Sequence, residues 1–331
     1  MTERHLTARR RIRTARTRFT ASAAATAVAA ALIATSVVGP ARAEPVSLGE
    51  DPIVLDAWNG FTAYIDPATS RIRVTTPTPL EWDPNLAQVD WREGGVDRFA
   101  FGVGWTFGTH FVVNTDGLRY YFPNLGAFYE ADPSAPSGLA GYPYDDVRAQ
   151  TTSGQIPGRG GIPARSYSYV LRHLDTNATD YFSSDGDLLA SINHATSARA
   201  DWVWEDWGEH NLKLIVDERG QETHLMNNPT DPSQREFRLP SGERVRIDRN
   251  FYYSIWRFAP SERQTSFDLP SAGWPLPWFR YITSFDDEGT RREIHFEWDV
   301  ANQREHPGRV ERVLLCDYGK LCEVVYRAPE V

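Results

Sequence analysis

Tyr181-Phe182-Ser183-Ser184-Asp185-Gly186-Asp187-Leu188-Leu189-Ala190-Ser191-Ile192 is followed by a second stretch built to the same plan, Trp202-Val203-Trp204-Glu205-Asp206-Trp207-Gly208-Glu209-His210-Asn211-Leu212-Lys213-Leu214-Ile215-Val216-Asp217. Each opens on an aromatic pair or triplet, passes an acidic or polar residue and a Gly turn, and closes on a Leu-rich aliphatic run. That order spells a hairpin: aromatic strand, Asp/Gly turn, aliphatic strand. A lone hairpin cannot bury its apolar face, so such units must add edge to edge into a sheet. The clearest copies lie within 181–220, with weaker echoes at Ile282–Gly289 and Gly308–Val313.

The same grammar extends outward. Arg71-Ile72-Arg73-Val74 alternates, and Ile294, Phe296 and Trp298 alternate with His295 and Glu297. Glu236–Leu239, a Pro-Ser-Gly turn and Arg244–Ile247 read as a hairpin with apolar residues on one face and Arg on the other. Long stretches of 3.6-residue period are hard to find after residue 44. The expectation is an all-β protein in which residues 44–331 form one domain of antiparallel hairpins. Ala131–Gly141 and Thr151–Pro163 read as loops because they are rich in Gly, Pro and Ser.

Further landmarks surround these units. Ile65-Asp66-Pro67-Ala68-Thr69-Ser70-Arg71-Ile72, Phe101-Gly102-Val103-Gly104-Trp105-Thr106-Phe107 and Asp116-Gly117-Leu118-Arg119-Tyr120-Tyr121-Phe122 precede the hairpins in that order. With the two units above, this set resembles the YD-repeat (Rhs) family over roughly residues 60–225. Ser183 stands where that pattern has aspartate, and Trp202 and Trp204 stand in place of tyrosines. The resemblance implies an extended, curved sheet or partial β-shell. It also implies a small exported piece of shell-type sheet rather than a loaded toxin.

Residues 1–18 are Arg-rich, Ala21–Val38 is an Ala/Val/Leu/Ile run, and Ala41-Arg42-Ala43 supplies the small residues of a signal-peptidase site. Residues 1–43 therefore read as a secretory signal, with cleavage expected before Glu44, and membrane attachment only if the signal stays uncleaved. The whole-chain charge of −9 conceals this segment. Its eight Arg and single acid, taken from 35 basic and 44 acidic residues, leave 27 against 43, or −16, in residues 44–331. So acidic a chain is a poor ligand for nucleic acid, and its 11 Trp argue for a packed core. Outside the cell, Cys316 and Cys322 are expected to form a disulfide across a terminal hairpin. Closing so short a loop contributes roughly 2 kcal/mol.

Few residues carry a pattern that points to chemistry. His173, His194, His210, His224, His295 and His306 show no zinc-ligand spacing, so strand-face or loop roles are expected and no metal is assigned. Asp286–Gly289 and Asp185-Gly186-Asp187 read as turns rather than calcium loops. No nucleophile elbow, phosphate loop or cofactor motif stands out, and no catalytic residue is assigned. Trp202, Trp204, Glu205, Trp207 and Glu209 form the one suggestive cluster, because carboxylates beside aromatic platforms suit sugars. The expected function is a secreted or cell-surface structural, shell or interaction module without catalytic activity, its partners other proteins or cell-surface glycans. The competing expectation is an extracellular carbohydrate-binding or glycoside-active protein using the Trp/acid cluster.

Overall fold

The computed structural model describes residues 51–331 except 68, 85, 87–98, 100, 102–103, 116, 206–210, 228–230, 232, 250–252, 260, 262, 269–279, 287, 300–308, 318 and 330–331. The expected signal segment, 1–43, and the residues Trp207, Glu209, His210 and His306 lie outside the described residues. The described residues belong to one compact unit. Among them no helix is long and apolar enough to cross a membrane.

Every described element of length is a strand, and all pairings are antiparallel. β1 (Ile53–Asp56), β2 (Thr62–Asp66), β3 (Arg71–Thr75), β4 (Glu81–Trp82) and β5 (Trp105–Thr106) form a five-stranded sheet in chain order. β6 (Phe111–Val113), β7 (Arg119–Phe122) and β8 (Ala127–Glu130) form a three-stranded one. The third sheet has fifteen strands, again in strict chain order. It begins with β9 (Val147–Ile156), β10 (Arg165–His173), β11 (Ala178–Phe182), β12 (Leu188–Asn193), β13 (Arg199–Trp204) and β14 (Leu212–Val216). It continues through β15 (Glu222–Asn227), β16 (Gln234–Arg238), β17 (Arg244–Arg249), β18 (Tyr253–Ala259) and β19 (Gln264–Asp268). It ends with β20 (Tyr281–Phe285), β21 (Arg291–Trp298), β22 (Val310–Asp317) and β23 (Glu323–Arg327). The sheet is extended and open, with β9 and β23 at its edges. Register shifts interrupt the β9–β10, β11–β12, β13–β14, β21–β22 and β22–β23 pairings, and such bulges bend and twist a sheet locally.

The hairpin grammar is realised where it was read. β11 runs out through Tyr181-Phe182, Ser183–Gly186 turns, and β12 returns. The turn is closed by Ser183 N–H to Asp187 O (2.9 Å) and Gly186 N–H to Ser183 O (3.1 Å). β16 and β17 pair Phe237 with Val245, both fully buried. Cys316 and Cys322 are joined in a disulfide between β22 and β23. Strand pairing also continues without a break beyond residue 225, to Arg327.

One loop expectation is corrected. Thr151–Ile156 belongs to the ten-residue strand β9 and pairs with β10, so only 157–163 of the expected loop is a connection. Gly154 reads as a breaker, but it lies opposite Tyr167. A Cβ there would sit 2.4 Å from the Tyr167 hydroxyl, so the aromatic ring occupies the space that glycine leaves on the neighbouring strand.

Both small sheets lie on one face of the long sheet, and that contact is the core. Phe61 packs its ring on Trp256, Phe258 and Phe267, with centroids 5.1, 6.0 and 5.3 Å apart. Trp82 meets Trp298 at 6.0 Å and Trp105 meets Trp256 at 5.2 Å. The Asn59 amide donates across the layers to Gln264 O, Thr265 Oγ1 and Phe285 O, each at 3.1 Å. Val112 N–H donates to Gly186 O at 2.8 Å, tying β6 to the turn between β11 and β12. β7 does not alternate because it is covered on both sides. Tyr120 meets Phe182 of the long sheet, while Tyr121 stacks on Phe111 and bonds Asp83.

The opposite face carries a second, smaller apolar cluster of Ile156, Leu189 and Ala190, beside a buried ion-pair group. Asp201 has no exposed side-chain surface and takes contacts from Arg165 and from Arg199 Nε (3.1 Å) and Nη2 (2.6 Å). The same guanidinium groups bond the carbonyls of Pro157, Leu189 and Trp202, which holds the tip of the β9–β10 hairpin against β12 and β13.

Candidate functional site

The Trp/acid cluster is divided by the fold. Trp202 is 2% exposed and belongs to the main core, and an interior indole cannot stack on a sugar. Trp204 is partly buried. Its ring stacks on Phe99 at 6.1 Å and meets Phe107 at 6.2 Å, and its Nε1–H donates to Leu188 O at 2.7 Å. Glu205 is exposed just past the end of β13. Trp202 is thus withdrawn from any surface platform, and Trp204 is engaged in packing. Trp202 packs within the main core, and Phe99 and Phe107 hold the Trp204 ring. Trp207 and Glu209 lie outside the described residues.

Chemically distinctive side chains gather elsewhere, in a cleft of about 160 Å³ between the three-stranded sheet and the start of the long one. Three places in the chain build it. His110 stands immediately before β6, His173 is the last residue of β10, and Asp180 is in the middle of β11. Asp180 pairs directly with Leu171, so His173, two residues on, is its diagonal neighbour on the same sheet face. That face is the inner one, where Leu171 and Phe182 are fully buried. The β6–Gly186 hydrogen bond then brings His110 over the pair from the other layer.

One carboxylate oxygen receives both rings. His110 Nδ1 lies 3.0 Å and His173 Nε2 lies 3.1 Å from Asp180 Oδ2. The histidine side chains are 18% exposed and that of Asp180 is 8%, so the oxygen is shielded while both imidazoles reach the cleft. The two rings lie 5.1 Å apart, and His110 also rests edge-on against Phe122 at 5.0 Å. Across the cleft Tyr142 donates to Asp146 Oδ1 at 2.9 Å.

Burial and charge split the two histidines. Burial holds His110 below the ordinary imidazole pKa, against the hydrogen bond and charge of Asp180. Burial also pulls on His173, but the charge and hydrogen bond of Asp180, helped by Asp175 and Asp146, outweigh it and raise that pKa. Burial would raise Asp180. The charge of His173 and hydrogen bonds from both rings overcome it and hold this carboxyl well below its usual range. A neutral His110 facing a carboxylate must carry its proton on Nδ1, because the carboxylate has none to give. Its Nε2 then holds a lone pair. Burial, with Asp146 second, pushes Tyr142 up, so it stays a neutral donor.

His110, His173 and Asp180 are the described residues that bring three metal-capable donors together, all within 4.8 Å of one another. No local spacing announced them: His110 and Asp180 are 70 residues apart. His173 reads from sequence as a strand-face histidine, and His110 and Asp180 are not singled out at all. The available signal was Asp180 itself, a charge at an inward position of a strand whose next inward residue is Phe182. The turns at Asp286 and Asp185 are ordinary. Asp286 Oδ1 accepts from the Glu288 and Thr290 amides, and Ser183 Oγ accepts from those of Asp185 and Asp187. No protein-family model matches the chain, and comparison with curated proteins finds no match.

Proposed function

We propose that the chain is an exported β module of YD-repeat type that acts as a structural, shell or interaction element rather than as an enzyme. The observation that carries this reading is the chain-order meander of fifteen strands whose inner face is filled by the chain's own N-terminal sheets. Such a plan makes a self-supporting wall with two long faces and two edges. Edges are where a sheet recruits another strand unless they are covered. The short disulfide hairpin at the β23 edge suits an oxidising compartment.

The test uses the full chain expressed with its own N-terminal segment. The reading expects a product in the medium that begins at Glu44 and has no free thiol. Applied to intact cells, that product should bind surfaces in a way that protease treatment of the cells abolishes and glycosidase treatment does not. Retention in the cytoplasm with reduced cysteines, or turnover of a substrate by the purified chain, overturns it. Binding lost after glycosidase treatment, or in Trp204→Ala on a glycan array, would favour the carbohydrate reading instead.

A further inference from the structure

We propose that His110, His173 and Asp180 form a binding site for a divalent transition-metal ion of the zinc class, with an open coordination position facing the cleft. The inference stands whether or not the chain is an interaction module.

The donor set comes first. Two imidazoles and one carboxylate are a common three-residue complement for ions that keep a further position for water or ligand. Calcium and magnesium prefer all-oxygen shells, so two nitrogen donors argue against them.

Distance is the second argument. Zinc takes nitrogen and oxygen ligands at about 2.0–2.2 Å, and tetrahedral neighbours then lie about 3.4 Å apart. The observed separations of 3.0 and 3.1 Å, from His110 Nδ1 and His173 Nε2 to Asp180 Oδ2, are those of a hydrogen-bonded cluster. An ion would take the place of the hydrogen-bond protons: His110 Nδ1 and His173 Nε2 release theirs, His110 then carrying its single proton on Nε2. The contacts to Asp180 open by a few tenths of an ångström while the two ring nitrogens, within 4.8 Å of each other, close on the ion.

Position within the fold favours the same ion. His173 and Asp180 are held by the β10–β11 ladder and His110 by the entry to β6, so the donors sit on paired strands or at their ends rather than on a long loop. Asp180 occupies an inward slot that the strand pattern reserves for an apolar side chain. A carboxylate there is costly unless opposite charge or a metal meets it. Solvent reaches the imidazoles from the cleft, whose walls also carry the polar side chains of Asn124, Thr176 and Ser191.

The experiment titrates the full chain, stripped with a chelator, with Zn2+ by calorimetry and with Co2+ by visible absorption. The expected result is one ion per chain, a Co2+ spectrum of low coordination number that Zn2+ displaces, and no response to Mg2+ or Ca2+. His110→Ala, His173→Ala and Asp180→Asn should each weaken binding by more than the about 10–100-fold that follows loss of an outer partner of a metal ligand. His224→Ala, an exposed histidine paired with Glu222, should leave binding unchanged. Should a site variant fail to fold, histidine acylation footprinting of the wild-type chain decides. Zn2+ must then protect His110 and His173 and leave His224 reactive. The proposal is overturned if the wild-type chain takes up no stoichiometric ion, if binding survives two of the three substitutions, or if the footprint at His110 and His173 does not change.

Discussion

Replacing Gly186 by Ala places a methyl group where two layers of the protein touch. Gly186 has φ +83°, and a Cβ built on it lies 1.9 Å from the carbonyl oxygen of Val112 and 2.6 Å from its carbon. Contacts under 3.0 Å force a shift, so the Val112 backbone must retreat by roughly 1 Å. That movement breaks the 2.8 Å hydrogen bond from Val112 N–H to Gly186 O in a strand whose Val112 is fully buried. The left-handed conformation costs an alanine about 1–2 kcal/mol, and an orphaned buried amide about 1–3 kcal/mol. Together they predict a loss of about 2–5 kcal/mol. Gly220→Ala is the control: its φ is +81°, yet nothing lies within 4 Å of the added Cβ, so it should lose only the conformational part. Urea unfolding followed by tryptophan fluorescence measures both. Because His110 directly precedes β6, Gly186→Ala should also weaken metal uptake while Gly220→Ala does not. Equal destabilisation by the two substitutions would refute the docking of β6 on this turn.

Phe61→Ala removes a fully buried ring from three aromatic partners and should cost about 3–5 kcal/mol in chemical denaturation, with one cooperative transition because β1–β5 share the core of the long sheet. Asp201→Asn strands the Arg165 and Arg199 guanidinium groups in the interior and should cost about 3–5 kcal/mol; a loss below about 1 kcal/mol would mean the group is solvated. Tyr120 and Tyr142 have raised pKa values, chiefly through burial, with Asp146 adding to Tyr142. Their contribution to stability is therefore complete below the ordinary tyrosine value of about 10 and is lost as pH rises above it. Ultraviolet titration should show at least Tyr120 and Tyr142 ionising only as the fold opens, and normal titration of all fourteen tyrosines in the folded chain would contradict this.

Much of the fold is legible residue by residue. Tyr181-Phe182, the Asp-Gly turn and Leu188–Ile192 become β11, a turn and β12, because strand alternation and turn chemistry act within a few residues. Cys316 and Cys322 pair for the same reason. Thr151–Ile156 misleads, because its glycine is matched to Tyr167 on the neighbouring strand, and composition along one strand does not reveal its partner. Trp202 and Trp204 are ambiguous from sequence, since an aromatic residue beside acids suits a core or a groove equally. Phe99 and Phe107, brought in from far upstream, decide for packing.

The sequence by itself determined the all-β class, the hairpin order and the disulfide clip, each written in local periodicity or short loop closure. Only the tertiary structure decided that the N-terminal sheets cover one face of the long sheet, and so which inward positions carry charge. His110, His173 and Asp180 meet because two layers dock through Val112 and Gly186. Docking of layers is chosen by the summed burial of many distant side chains, and no spacing along the chain encodes that sum.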